Sequence, residues 1–456
     1  MKKSFAVLLA VSLLFGCFSP GIALEETADD QAISLPFSME VGFLKSIGVI
    51  DGSFDLTASK TRGEFTKLLA LMMFPHVDFS TAGNYEGIPF ADVPSTHAYY
   101  PYIKACRDIN VVNGDNENNF YPDREITMPE AVAMLVNVLG YTVYANAYGG
   151  YPSGYYVIAR EAGITKGVDL SSEKITGSIM AKLFYNALFA DLVSIDSVSN
   201  SGIQVEIEKT KNILSERLGI LEYDATIIDN GLVSMKGVSI SDPERVVLTD
   251  VKTSDRITAY TGKTDISNHL GCRVKAFIKY NEETGRNEVI YYSLHKNTQE
   301  ILLNADWVIG VTSGYLEYEP EKDSGKYQKV SFGQQPPFVV LNGVHLVHYN
   351  WNELVPEDGF IRAVLNENNK AEFIEIISFN LYDGQKGASR NIVVDLADED
   401  DLFINCRLNP SQNLDLNDKD ASFRFIMSEG YSTLRDLNKN DIVSVCLLYT
   451  SVSLSF

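Results

Sequence analysis

The chain has 456 residues, 60 of them acidic and 38 basic, for a net charge of -22, with 45% hydrophobic and 11% aromatic residues. That length and apolar content describe a globular chain with more than one folded domain. The acidic balance excludes sequence-independent nucleic-acid binding, because nothing would neutralise the phosphates.

Met1-Lys2-Lys3 leads into an apolar run from Phe5 to Phe15 and the small-residue stretch Pro20-Gly21-Ile22-Ala23. A basic start, a short apolar centre and a small-residue cleavage point make residues 1–23 a secretory signal peptide, too short to span a bilayer as a helix. The mature chain is expected from about Leu24. Leu14-Phe15-Gly16-Cys17 is similar to a lipoprotein cleavage box, although Phe15 is bulky where that pattern has a small residue. Cys106, Cys272, Cys406 and Cys446 are far apart, with no CxxC or CxxH pair, so neither a disulfide framework nor a metal site is expected. Cys106 falls on an apolar helical face and reads as a small buried hydrophobe.

Residues 33–87 form the first helical unit. Val41, Phe43, Leu44 and Ile47 have helical spacing, which ends at Gly48 and the Asp51-Gly52 turn. Thr61 stands three residues ahead of Glu64 at the start of FTKLLALMMF, a capping box in which hydroxyl and carboxylate satisfy free helix amides. Residues 88–140 form the second unit. Phe90, Asp92 and Val93 open it, Tyr99, Tyr100 and Ile103 fall on a first helix, and Asn113-Gly114 turns the chain. Phe120, Pro122 and Asp123 close a polar loop, and Thr127 and Glu130 cap a second helix. Residues 141–194 form the third, with a helix from about Tyr151 to Gly163 and a restart at Ile175-Thr176-Gly177-Ser178. A period of about 50 residues is that of stacked supersecondary units, none of which buries its apolar faces alone.

These residues resemble the S-layer homology repeat, a module that tethers secreted proteins to bacterial cell-wall polysaccharide. Thr61-Arg62-Gly63-Glu64 is close to that family's Thr-Arg-Ala-Glu motif. The resemblance implies an all-α module of three repeats, closed into a pseudo-threefold prism with grooves between repeats. It also implies that Arg62 contacts an acidic sugar in a groove. A guanidinium beside free helix amides suits a carboxylate ligand. The implied contact set is Arg62 with Thr61 and Glu64, and Gly52, Tyr99, Tyr100, Gly114, Thr127 and Glu130 at corresponding motif positions. Met128 stands at the arginine position of the second unit, and Gly177 and Ser178 replace the charged positions of the third. A solvated arginine at position 62 is the plain alternative, as is core packing for Tyr99, Tyr100, Tyr155 and Tyr156.

Residues 195–216 read as a polar helical linker. From 217 to 456 the runs are short, rich in Val, Ile, Tyr and Thr, and punctuated by Gly, Asn and Asp, which predicts small antiparallel β-barrels or sandwiches. Leu270–Ala276 with NEVIYYSL, and Asp358–Val364 with AEFIEIISF, are weakly similar hairpins. A third start at Leu437–Val445 has no returning strand, from which a C-terminal truncation before a native ending is expected. HExxH, GxSxG and dinucleotide glycine fingerprints are missing. Asp115–Asn119, Asp398–Asp401 and Asp415–Asp420 read as solvated acidic loops rather than calcium loops. Trp307 and Trp351 fit either carbohydrate stacking or core packing.

The sequence therefore predicts a secreted, non-enzymatic surface protein. Helical repeats hold it to an acidic wall glycan, its β-rich region is structural or adhesive, and it needs no cofactor or metal. Other surface proteins are further candidate partners. An anchored extracellular hydrolase and a repeat scaffold that contacts only proteins are the rival readings.

Overall fold

The computed structural model describes residues 37–445 except 81–86, 200–201, 232, 237–241, 243, 321–324, 342–343, 352–353, 357–358, 379–389, 399–401, 409–412, 417–424, 428–429, 433, 435–436 and 440. The signal peptide, the Leu14–Cys17 box, Cys446 and the final LLYTSVSLSF lie outside the described residues, as do most of the two late acidic loops. The chain is multidomain, helical first and β-rich later, and its two compact units part between Glu222 and Tyr223, with Phe277–Gly285 grouped with the helical unit. Among the described residues no helix is long and apolar enough to cross a membrane.

The first unit holds α1 (Ser38–Ser46), α2 (Arg62–Met73), α3 (Tyr100–Asp108), α4 (Met128–Val138), α5 (Thr142–Ala147), α6 (Ser153–Glu161) and α7 (Gly177–Phe189). Helix α2 packs on α3, α4 on α6, and α7 returns to α1. Phe43, Phe65, Leu69, Ile103, Leu135 and Phe184 are fully buried among them, so each amphipathic helix covers its neighbour's apolar stripe. The segment before α2 lies between the segments that lead into α4 and α7. Lys60 N–H donates to the Ile175 carbonyl at 2.8 Å, and its own carbonyl accepts from Ile126 N–H at 3.0 Å. Ser178 N–H reaches the Leu56 carbonyl at 2.8 Å.

The stretch 195–216, expected as a helical linker, is an antiparallel hairpin. Strands β1 (Asp191–Ser199) and β2 (Gly202–Asn212) pair Val198 with Ile203, Ile195 with Val205 and Val193 with Ile207, and one helical turn, α8 (Ile213–Glu216), follows. Ile203, Val205 and Ile207 alternate with Gln204, Glu206 and Glu208. That period of two outweighs the helix-favouring Glu and Lys content.

In the second unit β3 (Ile220–Asp229), β4 (Arg245–Asp250), β5 (Arg256–Tyr260), β6 (Arg273–Asn281) and β7 (Arg286–Leu294) close a barrel. An eight-stranded sheet follows, built of β8 (Gln299–Asn304), β9 (Val308–Val311), β10 (Tyr315–Tyr318), β11 (Gln328–Phe332), β12 (Phe338–Leu341), β13 (Val344–His345), β14 (Gly359–Leu365) and β15 (Lys370–Ser378). It is mixed, since β11 and β12 both run parallel to β15, where sequence pattern alone predicted antiparallel strands. Trp351 packs against this sheet's core and stacks on Phe332 at 5.2 Å. A last sheet joins β16 (Arg390–Asp398), β17 (Phe403–Cys406), β18 (Leu414–Asp415) and a strand at Ile442–Val445, which pairs with β16.

Candidate functional site

Helix α2 starts at Arg62 because Thr61 and Glu64 cap it reciprocally. Thr61 Oγ1 accepts from Glu64 N–H at 3.1 Å, and Glu64 Oε2 accepts from Thr61 N–H at 2.7 Å. Two further bonds dock this N-terminus on the second helical repeat (88–140), Arg62 N–H to the Arg124 carbonyl at 2.9 Å and Gly63 N–H to the Pro122 carbonyl at 2.7 Å. A Cβ at Gly63 would sit 2.3 Å from Tyr99 Cδ2, so this close docking requires glycine.

The docking folds Arg62 inward. Its side chain, expected to reach out to a ligand, is only 10% exposed. Nη2 donates to the Asn113 carbonyl at 2.7 Å, Nη1 lies 3.1 Å from Glu130 Oε1, and the guanidinium covers the Phe120 ring at 4.4 Å. Burial lowers its pKa while Glu130 pulls the other way. Its Nε is buried with no hydrogen-bond partner among the described residues.

Glu130 is the hub. It caps α4 by accepting from Thr127 N–H at 3.0 Å, and it also accepts from Arg124 Nη2. Burial pushes its carboxyl pKa up, but Arg124, the Thr127 amide and Arg62 outweigh this and hold it below the usual value. Two guanidiniums thus share one carboxylate. Arg124 is the accessible one, with 44% of its side chain exposed. Tyr151, 58% exposed, interacts electrostatically with Glu130, Arg62 and Arg124. An exposed cation and an exposed ring in one electrostatic neighbourhood have the chemistry that suits an anionic, ring-shaped ligand.

The other expected contacts fall differently. Tyr100 is 2% exposed and donates to the Gly87 carbonyl at 2.6 Å, so it is core and offers no stacking face. Tyr155 is buried as well. Tyr99 is half-buried against Gly63. Gly114 is a packing glycine, where a Cβ would lie 2.8 Å from Phe90. Gly52 lies in an exposed turn where a Cβ would meet nothing within 4 Å. Asp92 closes the polar loop by accepting from Phe120 and Tyr121 N–H at 2.8 and 2.6 Å. The Asp115 loop spends its carboxylate on Glu117 and Asn119 N–H and on the Tyr121 hydroxyl. Arg124, Tyr151 and the Asn113 carbonyl were not foreseen. They meet Arg62 through tertiary contacts, among them the backbone bonds from Arg62 to Arg124 and from Gly63 to Pro122.

The arginine position is lost elsewhere for visible reasons. Met128 is 4% exposed, a core residue. A Cβ at Gly177 would be 2.1 Å from the Asp55 carbonyl oxygen, so backbone fills the space a side chain would need.

Residues 89–127 match the S-layer homology domain. Over 98% of its length the chain is 22% identical to a "Surface layer protein" of Brevibacillus choshinensis and 23% identical to a "Middle cell wall protein" of Brevibacillus brevis (strain 47), covering 42% and 45% of those proteins. Over 62% of its length it is 24% identical to a "Cell surface protein" of Thermoanaerobacter kivui, covering 35% of that protein. The chain spans less than half the length of the relatives it matches.

Proposed function

We propose that this chain is a cell-surface protein anchored non-covalently to cell-wall polysaccharide through S-layer homology units. The three helix pairs close into a pseudo-threefold prism, and the β-rich unit has a structural or adhesive role. The observation that carries the reading is the Arg62–Glu130–Arg124 cluster, which lies where the first helical repeat docks on the second and includes part of the segment matched at 89–127. The names of the relatives agree with it, and none of them is an enzyme name.

In this reading Arg124 and Tyr151 meet the acidic sugar, while Arg62 props Glu130 and fixes the position of Arg124. The acidic chain as a whole is no obstacle, because the local field at the crevice governs attachment. A charge-assisted hydrogen bond is worth roughly 1.5–3 kcal/mol. Arg124→Ala is therefore expected to bind purified wall sacculi about tenfold or more weakly, and added salt to weaken the wild type. Undiminished binding by Arg124→Ala removes it from the mechanism. One observation favours a second reading, a protein-contacting scaffold. Arg62 is already engaged internally, and Met128 and Gly177 stand in its place elsewhere. Absence of sacculus binding by the wild type selects that reading.

A further inference from the structure

The second unit contains a polar cluster that anchoring does not use. His269 and Cys272 are the first and last residues of a tight turn closed by a 3.0 Å bond from Cys272 N–H to the His269 carbonyl. Leu270 at φ -54°, ψ 133° and Gly271 at φ 87° describe a type II turn, whose third place requires glycine. A Cβ there would also strike Phe373 at 2.7 Å. The turn sets imidazole and thiol side by side, and β8 brings up Glu300, whose Oε2 is 2.9 Å from His269 Nδ1. One nitrogen, one sulfur and one carboxylate oxygen lie within 4.8 Å of one another.

We propose that His269, Cys272 and Glu300 form a binding site for a borderline-soft divalent cation, with zinc as the best-fitting ion. Mixed nitrogen, sulfur and oxygen donors in a set of three suit zinc, whereas calcium and magnesium require oxygen ligands. Arg362 supplies the outer support that such sites need. From β14 it donates to Glu300 Oε1, to Glu375 Oε2 at 3.0 Å, to the Leu270 carbonyl at 2.6 Å and to Cys272 Sγ at 3.7 Å, a contact the sulfur exchanges for the ion, and Glu300 Oε2 stays turned toward His269. His269 and Glu300 are partly exposed, whereas Cys272 is fully buried.

Binding is an acid–base exchange without redox change. The Cys272 S–H bond breaks, its electron pair forms the sulfur–metal bond, and the proton leaves to solvent. Because the thiol must give up its proton to bind, affinity rises with pH.

The test is a cobalt titration of the chelator-treated full chain. One equivalent should produce a near-ultraviolet thiolate-to-cobalt charge-transfer band, release one proton, and lose the band when zinc is added. Cys272→Ala should abolish the band with the far-ultraviolet circular dichroism unchanged. Should that variant not fold, His269→Gln at its partly exposed position should weaken cobalt binding by about tenfold or more. No band in the wild type at millimolar cobalt, or a band that survives Cys272→Ala, overturns the site.

Discussion

Among the described residues Arg62 in the helical unit and Arg362 in the β-rich unit are both buried against carboxylates from other strands or helices, and the two are finished differently. Arg362 spreads its donors over Glu300, Glu375 and a backbone carbonyl inside a sheet, and both it and Glu375 are 3% exposed. Arg62 leaves Nε without a hydrogen-bond partner among the described residues and shares its carboxylate with Arg124, which opens to water. A closed network of this kind holds Glu300 in one orientation inside the sheet. In the proposed reading, one that ends in an exposed cation retains capacity for an anion from outside.

The largest expected effect breaks the closed side of that comparison. Glu375→Ala should destabilise the second unit by about 3–5 kcal/mol in chemical denaturation, because it removes one of the two carboxylates on a buried guanidinium and takes the acceptor from Arg362 Nε. Acid should act on the same network through Glu300. Burial raises its carboxyl pKa, but the hydrogen bond from His269 and the charge of Arg362 bring it down to about 2 from an ordinary 4.5. A carboxyl depressed on folding stabilises fully above its unfolded value. That stability, on the order of 3 kcal/mol, should disappear as pH falls from 4.5 through about 2, and Glu300→Gln should flatten this part of the stability–pH profile.

On the open side, Gly63→Ala should cost about 1–3 kcal/mol by forcing a methyl into Tyr99, and pairing it with Tyr99→Ala should recover part of the loss. Thr61→Ala should cost about 1 kcal/mol through the lost cap. Smallest in stability is Arg124→Ala, within about 0.5 kcal/mol for a surface position. It sharpens the comparison because its effect is expected on sacculus binding and not on the melting temperature.

Local pattern carried a good deal. Thr61 with Glu64 and Thr127 with Glu130 announced two helix starts through side-chain chemistry that spans only three residues, and apolar spacing marked the helices behind them. Alternation in VEIEKTK was equally local, yet its charge-rich composition suggested a helix where β2 forms. Tyr100 and Tyr155 read as surface aromatics as readily as core, since burial depends on which neighbour covers them.

The sequence by itself determined a helical, then β-rich, acidic chain and placed a guanidinium at the first residue of α2, because caps, periods and charge are properties of near neighbours. Tertiary structure alone decided that this guanidinium turns inward to Glu130 while Arg124 faces solvent. It also placed His269, Cys272, Glu300 and Arg362 together, because those meetings depend on backbone bonds between distant segments, such as Arg62 to Arg124, and on β8 pairing with β14.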